Sequence, residues 1–451
     1  MERKNKKLNK YIIIGNSAAG LAAAEGIREL DRKGKITILS EEGYLNYSKP
    51  MITYFLTGRV NLKSIYFKDK KFYRDNDMDV RLNTKVKSVD KTGMYLNTED
   101  GKRLKFDKLL IASGGKPIIP KIRVSGNGSD INFLDRMNFR KVEGIFTLTT
   151  LEDAIMIKNY IEKNDIKNIS ILGGGLIGLK AAEAFLKMGI DIKIIELADR
   201  ILSATFDRQA SGIIEKKIKS RGSNIYKSNT IEEIFIKDGR ISGYMLKEGV
   251  EMKCGMLIIA VGVVPNTAFI SSKKLKINRG IVVDDYMQTS ARNIYAAGDV
   301  TESMDILLKE KRNIAIWPLA VMQGEVAGNN MAGGKKKYEG GFFMNSVELL
   351  HVPSISMGIT GIGEDKDKNI EILKDFNPEK SIYKKVVIRN KRVIGVIMIG
   401  NIERAGIYAG LIRNRIDISS IKEHISREDF GIIHLPADYK KHLVVGEGIE
   451  V

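Results

Sequence analysis

One cysteine, Cys254, stands in 451 residues. No intrachain disulfide, Cys-x-x-Cys redox pair, iron–sulfur cluster or cysteine-rich zinc site can be assembled from this chain alone. Cys254 adjoins the apolar run Met256 to Ala260, and nothing beside it marks an activating environment. A buried structural thiol is therefore expected rather than a nucleophile. Long hydrophobic runs are missing too, since none approaches the roughly 18–20 residues that span a membrane. The stretch Met1 to Lys10 is charged and enters Tyr11–Gly15 directly. That run is too short for a signal-peptide core, so no targeting segment and a cytoplasmic address are expected. Histidine is scarce: His351, His424, His434 and His442 show no obvious acidic or cysteine partner in sequence. Structural or surface roles are expected for them, and no metal site. Acidic residues are also short, 55 against 74 Lys+Arg, which leaves a net charge of +19. Such a field attracts anionic partners. It is read either as an excess spread over solvated faces or as one basic docking patch, with nucleic acid not expected as the partner.

What the chain does have is glycine placed twice in the same pattern. Tyr11 to Ile14 runs into Gly15-Asn16-Ser17-Ala18-Ala19-Gly20, and Ile171-Leu172 runs into Gly173-Gly174-Gly175-Leu176-Ile177-Gly178. Each reads as a strand, a tight turn and a small-residue helix, which sets a pyrophosphate on the N–H groups of a helix N-terminus. The middle position must be small so that backbone can approach phosphate, and Ser17 meets that need while adding a donor of its own. About 20 residues beyond Gly20, Ser40-Glu41-Glu42 offers a carboxylate to ribose hydroxyls. After the second turn Ile192 to Ile195 ends in Glu196. A carboxylate there binds both adenosine ribose hydroxyls and repels a 2′-phosphate, so NADH is preferred over NADPH, with Arg200 still a group that could reach a phosphate.

The pattern along the chain is α/β. A first βαβ unit takes in Tyr11–Ile14, a helix from about Ala18 to Leu30, and Ile36–Leu39. Short strands follow at Asp79–Leu82 and Thr84–Ser88. Phe106 to Ile111 reads as a buried strand ending in Ala112-Ser113-Gly114-Gly115. The stretch 121–140 reads as a loop or linker. Thr149-Thr150 caps a helix reaching about Glu162, and a second βαβ unit covers Ile169 to Leu197. Leu257–Gly262 and Asn293 to Ala297 are further strands, Trp317 to Met331 is a long helix, and 340–451 mixes strands with a helix near 402–414. The second nucleotide domain is thus inserted in the first. The expected partition is 8–140 with 266–333, then 141–265, then a C-terminal α+β domain over 340–451.

With these motifs the chain resembles the FAD-dependent pyridine nucleotide-disulfide oxidoreductase superfamily, in its rubredoxin reductase and nitrite reductase flavin-subunit branch. The likeness rests on Gly15–Gly20, Tyr47-Ser48-Lys49-Pro50, Ala112–Gly115, Gly173–Gly178, Gly262 to Asn266, Ala297-Gly298-Asp299 and Trp317-Pro318 with Gln323-Gly324. It implies two interleaved Rossmann-like, glutathione-reductase-like domains binding FAD and NAD(P)H. It places Gly298 and Asp299 on the FAD ribityl chain and pyrophosphate, Lys49 on FAD, the Val86 backbone at the adenine, and Trp317 near the flavin ring. Ala112, Ser113 and Gly114 join the FAD set, and Gly262 joins the NAD set. The family has a glutamate directly after Gly178-x, near the nicotinamide carboxamide, whereas this chain has Leu179-Lys180. Lys180 is read either as an ammonium near the flavin, favouring the anionic reduced ring, or as a lysine turned along the helix face.

The flavin-side segment Asn46-Tyr47-Ser48-Lys49 carries no cysteine, and Ser48 cannot form a sulfenic acid. Disulfide reductase and peroxidase chemistry are excluded, and the chain cannot reduce nitrite alone. The expected function is hydride transfer from NADH to FAD, with electrons then leaving for an acidic carrier such as rubredoxin or a partner redox subunit. The alternatives are an NAD(P)H oxidase, or a non-catalytic flavoprotein like apoptosis-inducing factor that associates on binding NADH. The C-terminal domain is expected to shape the acceptor face or a homodimer interface.

Overall fold

A computed structural model describes residues 8–436 except 93, 129–130, 271–274 and 363–368; His442 and the charged stretch 1–7 lie outside the described residues. Two five-stranded parallel sheets carry the architecture. In the first, the order is Ile294–Ala296, Lys108–Ile111, Lys10–Ile14, Lys35–Leu39, Met78–Arg81; in the second it is Ile145–Thr147, Met256–Ile259, Asn168–Leu172, Asp191–Glu196, Asn224–Lys227. The central strands are runs of Ile and Leu because both faces are covered, and such strands need no polar alternation. In the second sheet Ile171, Ile194 and Ile258 pack against helices, while Leu172, Ile195 and Leu257 pack against Ile234, Ile236 and Tyr244 of a neighbouring sheet. Ile13, Leu109, Leu110 and Ile111 in one sheet, and Ile171, Ile194 and Ile258 in the other, are completely buried.

The described helices are α1 (Ala18–Leu30), α2 (Ile52–Leu56), α3 (Lys70–Asp75), α4 (Leu151–Asn164), α5 (Leu176–Lys187), α6 (Arg208–Lys219), α7 (Trp317–Met331) and α8 (Ala405–Arg413). The expected cap on α4 is present as a capping box: Thr150 accepts from the Asp153 N–H and the Asp153 side chain returns the bond. Helix α7 lies on α1 through a seam of small residues. A Cβ on Gly324 would stand 2.2 Å from the Ala19 carbonyl oxygen, and one on Gly328 2.1 Å from that of Ala23. Only hydrogen at those positions lets the two backbones meet.

The loop expected over 121–140 is instead structured. Ile122–Gly126 and Phe133–Leu134 are strands and Phe139–Lys141 is a 3-10 turn. Ile122–Gly126 pairs in parallel with Ile231–Lys237, in a sheet completed by Arg240–Leu246 and Glu251–Lys253. Its residues read as polar punctuation because the partner strand lies more than a hundred residues downstream. Further strands escaped the sequence reading, among them Ile145–Thr147, Asn224–Lys227, Ile231–Lys237, Arg240–Leu246 and the pair Gly115–Pro117 and Val263–Pro265. Gly115–Pro117 and Val263–Pro265 pair antiparallel where the chain passes between the two nucleotide regions. The Ser113 hydroxyl closes that crossing by donating to the Asn266 carbonyl at 2.8 Å.

The C-terminal region is a five-stranded antiparallel sheet, ordered Met344–Leu349, Val352–Gly358, Arg392–Ile399, Ile382–Arg389, Ile370–Asn377, with α8 packed on it. It is pinned to the second nucleotide region by a buried polar cluster. Tyr383 donates to Asp207 at 2.6 Å, the Lys385 ammonium lies 3.5 Å from the same carboxylate, and Ser356 donates to the Thr205 carbonyl at 2.8 Å. Asp207 is also the N-cap of α6, so one side chain ends a helix and anchors a neighbouring sheet.

Candidate functional site

At the first turn, β-strand residue Ile14 gives way to Gly15 with φ +116°, and a Cβ there would lie 2.1 Å from the Ala112 carbonyl oxygen. Gly20 is equally constrained, its Cβ position being 1.9 Å from the Gly15 carbonyl oxygen. Ser17 is the N-cap of α1, yet its hydroxyl caps no helical N–H, and no acid occupies the first turn. The free N–H groups of Ala18 and Ala19 and the hydroxyl of Ser17 therefore remain available to an anion. Asn16 adds a buried Nδ2 that has no hydrogen-bond partner among the described residues. A dinucleotide diphosphate fits this set of donors without an acceptor among them.

Of the remaining residues of the expected FAD set, Ala112 and Gly298 are brought to that turn, against Gly15 and Ala19. Gly298 has φ +83°, donates its N–H to Gln323 Oε1 at 2.8 Å, and sits against Ala19. Asp299 is half-buried; burial raises its carboxyl above the usual carboxylate range, and the Lys49 ammonium pulls it back. Lys49 and Asp299, 250 residues apart, are therefore close enough to feel one another. Trp317 opens α7 and meets Phe67 edge-on at 5.5 Å. Val86 starts the strand Val86–Asp90 and is buried. The two acids at the end of the second strand part company. Glu41 is exposed, 3.5 Å from Lys116 and 3.8 Å from Lys85, whereas Glu42 accepts a 2.6 Å bond from Tyr47. Ser113 spends its hydroxyl on the chain crossing, while its neighbour Gly114, at φ +66°, faces open space.

The second turn repeats the backbone with different side chains. A Cβ on Gly173 would lie 2.4 Å from the Ala260 carbonyl oxygen and one on Gly178 2.0 Å from that of Gly173, but one on Gly175 would meet nothing within 4 Å. That leaves open space at the start of α5. Leu176 and Ile177 form the first turn, with Ile177 exposed, and Gly262 lies across from them at φ +116°. Glu196 is held at the turn by two 2.7 Å bonds, Oε2 accepting from the Gly174 N–H and Oε1 from the Ala198 N–H. Arg200 does not stand ready for a phosphate. It is folded back onto Asp199 at 2.8 Å and donates to the carbonyls of Ser203 and Phe206.

Lys180 lies at a junction of three elements. Its ammonium pairs with Glu183, donates to the Glu348 carbonyl at 3.1 Å, and sits 5.1 Å from the centre of the Tyr54 ring. It thereby ties α5 to α2 and to the C-terminal sheet. Glu183 is nearly buried and also pairs with Lys187 at 2.8 Å. Burial pushes its carboxyl up, but the two lysine bonds prevail and hold it below the ordinary glutamate range. Cys254 is 3% exposed, its thiol pushed up by burial and its Sγ 2.9 Å from the Met256 carbonyl, as a structural thiol should be. One histidine departs from expectation: His351 Nδ1 lies 3.6 Å from Glu348, a partner three residues away on an exposed turn. No helix among the described residues is long and apolar enough to cross a membrane, and none of their acid, histidine and cysteine side chains cluster as a metal site.

A pyridine nucleotide-disulphide oxidoreductase family model matches residues 9–324, and a model of the rubredoxin NAD+ reductase C-terminal domain matches residues 345–416. The NAD(P)H nitrite reductase of Bacillus subtilis is 28% identical over 428 residues, 93% of this chain and 49% of that protein, so the chain spans about half its length. The epsilon subunit of the NADH-dependent phenylglyoxylate dehydrogenase of Aromatoleum evansii is 28% identical over 418 residues, 92% of this chain and 93% of that subunit. The crystal structure of the NADH:rubredoxin oxidoreductase of Clostridium acetobutylicum superposes with a TM-score of 0.72 at 25% identity, covering 93% of this chain and 99% of that one. The chain belongs to the pyridine nucleotide-disulphide oxidoreductase family and is an FAD-dependent NAD(P)H oxidoreductase.

Proposed function

We propose that this protein takes reducing equivalents from NADH and delivers electrons to an acidic electron-carrier protein, of the rubredoxin kind, or to a partner redox subunit. When bound, FAD supplies the redox chemistry, accepting two electrons and a proton from the nicotinamide. The chain's own residues do the rest. Ser17, the first turn of α1 and Gly298 hold the first dinucleotide, with Asp299, Lys49 and Trp317 around its flavin end and Glu41 and the Val86 backbone at its adenosine end. Gly173, Gly175, Leu176, Ile177, Gly178 and Gly262 receive the second.

The observation that carries the nicotinamide choice is Glu196, whose carboxylate is fixed against the Gly174 N–H while Arg200 is engaged elsewhere. A carboxylate held at that place accepts from a ribose diol and repels a 2′-phosphate. The carrier reading is supported by the single buried thiol, which leaves this chain no cysteine relay, and by the basic charge of +19, which favours encounter with an acidic protein. The proposed partition keeps FAD with 8–140 and 266–333 and NADH with 141–265. Strand Ile122–Gly126 lends itself to the sheet of the inserted region. Residues 340–451 form the interface to a carrier or a second copy, and the working address is the cytoplasm.

An anaerobic titration tests the reading. The yellow protein should bleach with one equivalent of NADH, resist NADPH at the same concentration, and reoxidise rapidly on adding rubredoxin. Fast reoxidation by oxygen alone, with carrier making no difference, would make it an oxidase. A flavin that stays oxidised under excess NADH would sink the reading.

A further inference from the structure

The first turn presents backbone N–H groups and two side-chain donors, the Ser17 hydroxyl and the Asn16 amide. Asn16 is 9% exposed, and its Nδ2 has no hydrogen-bond partner among the described residues. A buried donor left unpaired is costly, so such a group calls for a ligand atom. The orientation of the amide is set by a directed relay. Asn46 Nδ2 donates to the Tyr73 hydroxyl at 2.5 Å, and that hydroxyl donates to Asn16 Oδ1 at 2.9 Å. Asn46 is itself fixed, its Oδ1 accepting from the Lys68 N–H at 2.8 Å and its Nδ2 donating to the Lys68 carbonyl at 2.9 Å. With the Tyr73 oxygen already accepting from Asn46, a flipped Asn16 would leave the Tyr73 proton without an acceptor. The relay therefore keeps the Asn16 NH2 as the free end.

We propose that Asn16 is a cofactor-positioning residue whose side-chain NH2 donates to the diphosphate of bound FAD, with Tyr73 and Asn46 holding it in that orientation. The ligand class follows from the company it keeps: the uncapped N-terminus of α1, a Ser17 hydroxyl spent on no helical N–H, and a first turn without an acid. An anionic oxygen satisfies all of these at once, and hydrogen bonds to a charged acceptor are the stronger kind. The relay also joins the phosphate turn to the segment Asn46–Lys49 assigned to the flavin end. Tyr73 thus sets the spacing between the two ends of one cofactor. The second turn has no counterpart, since Gly174 stands where Asn16 does in the first.

The inference rests on the FAD assignment above and predicts a larger effect on the FAD-loaded protein than on the flavin-free one. Flavin is stripped from the protein, and FAD affinity is measured by fluorescence titration alongside the melting temperature of the flavin-free form. Asn16→Leu, close in volume but without the donor, should raise the FAD dissociation constant at least about tenfold. The same change should lower the melting temperature of the flavin-free protein by less than that of the FAD-loaded form, because it removes the unpaired donor together with the acceptor of the Tyr73 proton. Asn16→Asp, which sets a carboxylate against the diphosphate, should weaken FAD further than Asn16→Leu. Tyr73→Phe should weaken FAD by a smaller factor, since the amide is then free to turn. An unchanged FAD constant in both Asn16 variants, or flavin-free and FAD-loaded forms losing stability equally, would overturn the proposal. If Asn16→Leu does not fold, Asn16→Asp and Tyr73→Phe decide alone. A wild-type protein that binds FAD tightly but is not reduced by NADH would sink the functional reading and leave the Asn16 test standing.

Discussion

Around Gly15 the glycine turn is roofed by a second helix, whereas around Gly173 it stands open on one side. The roof is α7, whose Gly324 and Gly328 lie on the backbone of Ala19 and Ala23, with Gly298 against Ala19. At the second turn no helix among the described residues plays that part. Gly175 faces empty space, Ile177 is 38% exposed, and Leu197, beside the ribose acid, is 69% exposed. The side chains differ in the same sense. The first turn carries Asn16 and Ser17, which add side-chain donors, while the second has Gly174 and Gly175 at the matching positions, with the Glu196 carboxylate bonded to the Gly174 N–H. A closed, donor-rich turn suits a cofactor that stays through many turnovers, and an open one suits a nucleotide that must enter and leave in each. Sheet order is shared, so the difference comes from what the rest of the chain packs over each sheet.

The largest expected effect follows from overfilling the closed turn. Gly20→Val would drive a side chain into the Gly15 carbonyl 1.9 Å away, and overpacking of this kind costs roughly 3 kcal/mol or more. The purified variant should be colourless, with a lowered melting temperature. The open turn should answer differently. Gly175→Ala adds a methyl that meets no protein atom within 4 Å, so stability should hold while the NADH KM rises about tenfold, the order of one lost phosphate contact. Equal destabilisation by both changes would erase the contrast drawn here.

Glu196→Ala comes next. The carboxylate is anchored by two backbone N–H bonds, and its loss should raise the NADH KM about tenfold and narrow the preference over NADPH. Steady-state kinetics with both nucleotides would remove Glu196 from the site if neither constant moved. FAD content should be untouched, because the ribose of the first dinucleotide lies at the other turn.

Lys180→Met probes the junction between the two regions. It leaves the nearly buried Glu183 with Lys187 as its remaining ion-pair partner, a loss of about 1–2 kcal/mol for a partly exposed pair. The pH dependence has a definite sign. Glu183 is held below the ordinary glutamate range, so its contribution is present above the unfolded pKa and disappears as pH falls through the folded one. Without Lys180 that depression shrinks, and acid unfolding followed by circular dichroism should begin at a higher pH. Identical acid limbs would show that Lys187 alone sets the Glu183 charge.

The smallest effect is expected at Cys254, in the core beneath the second sheet. Cys254→Ser should cost about 1 kcal/mol of stability, the price of a buried hydroxyl that still finds the Met256 carbonyl, and leave NADH-dependent dye reduction nearly intact. A folded, FAD-loaded variant with a hundredfold loss of turnover would bring thiol chemistry back into a chain whose one cysteine is buried.

The two βαβ units, the two glycine turns, α1, α5 and α7 were legible in the residues themselves, because strand, turn and small-residue helix are contiguous there and their constraints act over a few neighbours. Glu196 could be placed for the same reason, as the acid ending the second strand of its unit. What packing decided lies between distant segments. Ile122–Gly126 became a strand only through Ile231–Lys237, and Gly115–Pro117 only through Val263–Pro265. Glu41 and Glu42 were indistinguishable as neighbours until Lys85, Lys116 and Tyr47 drew them to different partners. Arg200 was a candidate for phosphate until Asp199 and two carbonyls engaged it, and Lys180 was undecided until Tyr54, Glu183 and Glu348 closed around it. Local pattern sets which backbone can cradle a nucleotide, since that depends on sterics within one turn. Side-chain charge and donor direction depend on groups dozens to hundreds of residues away, and those meet only in the folded chain.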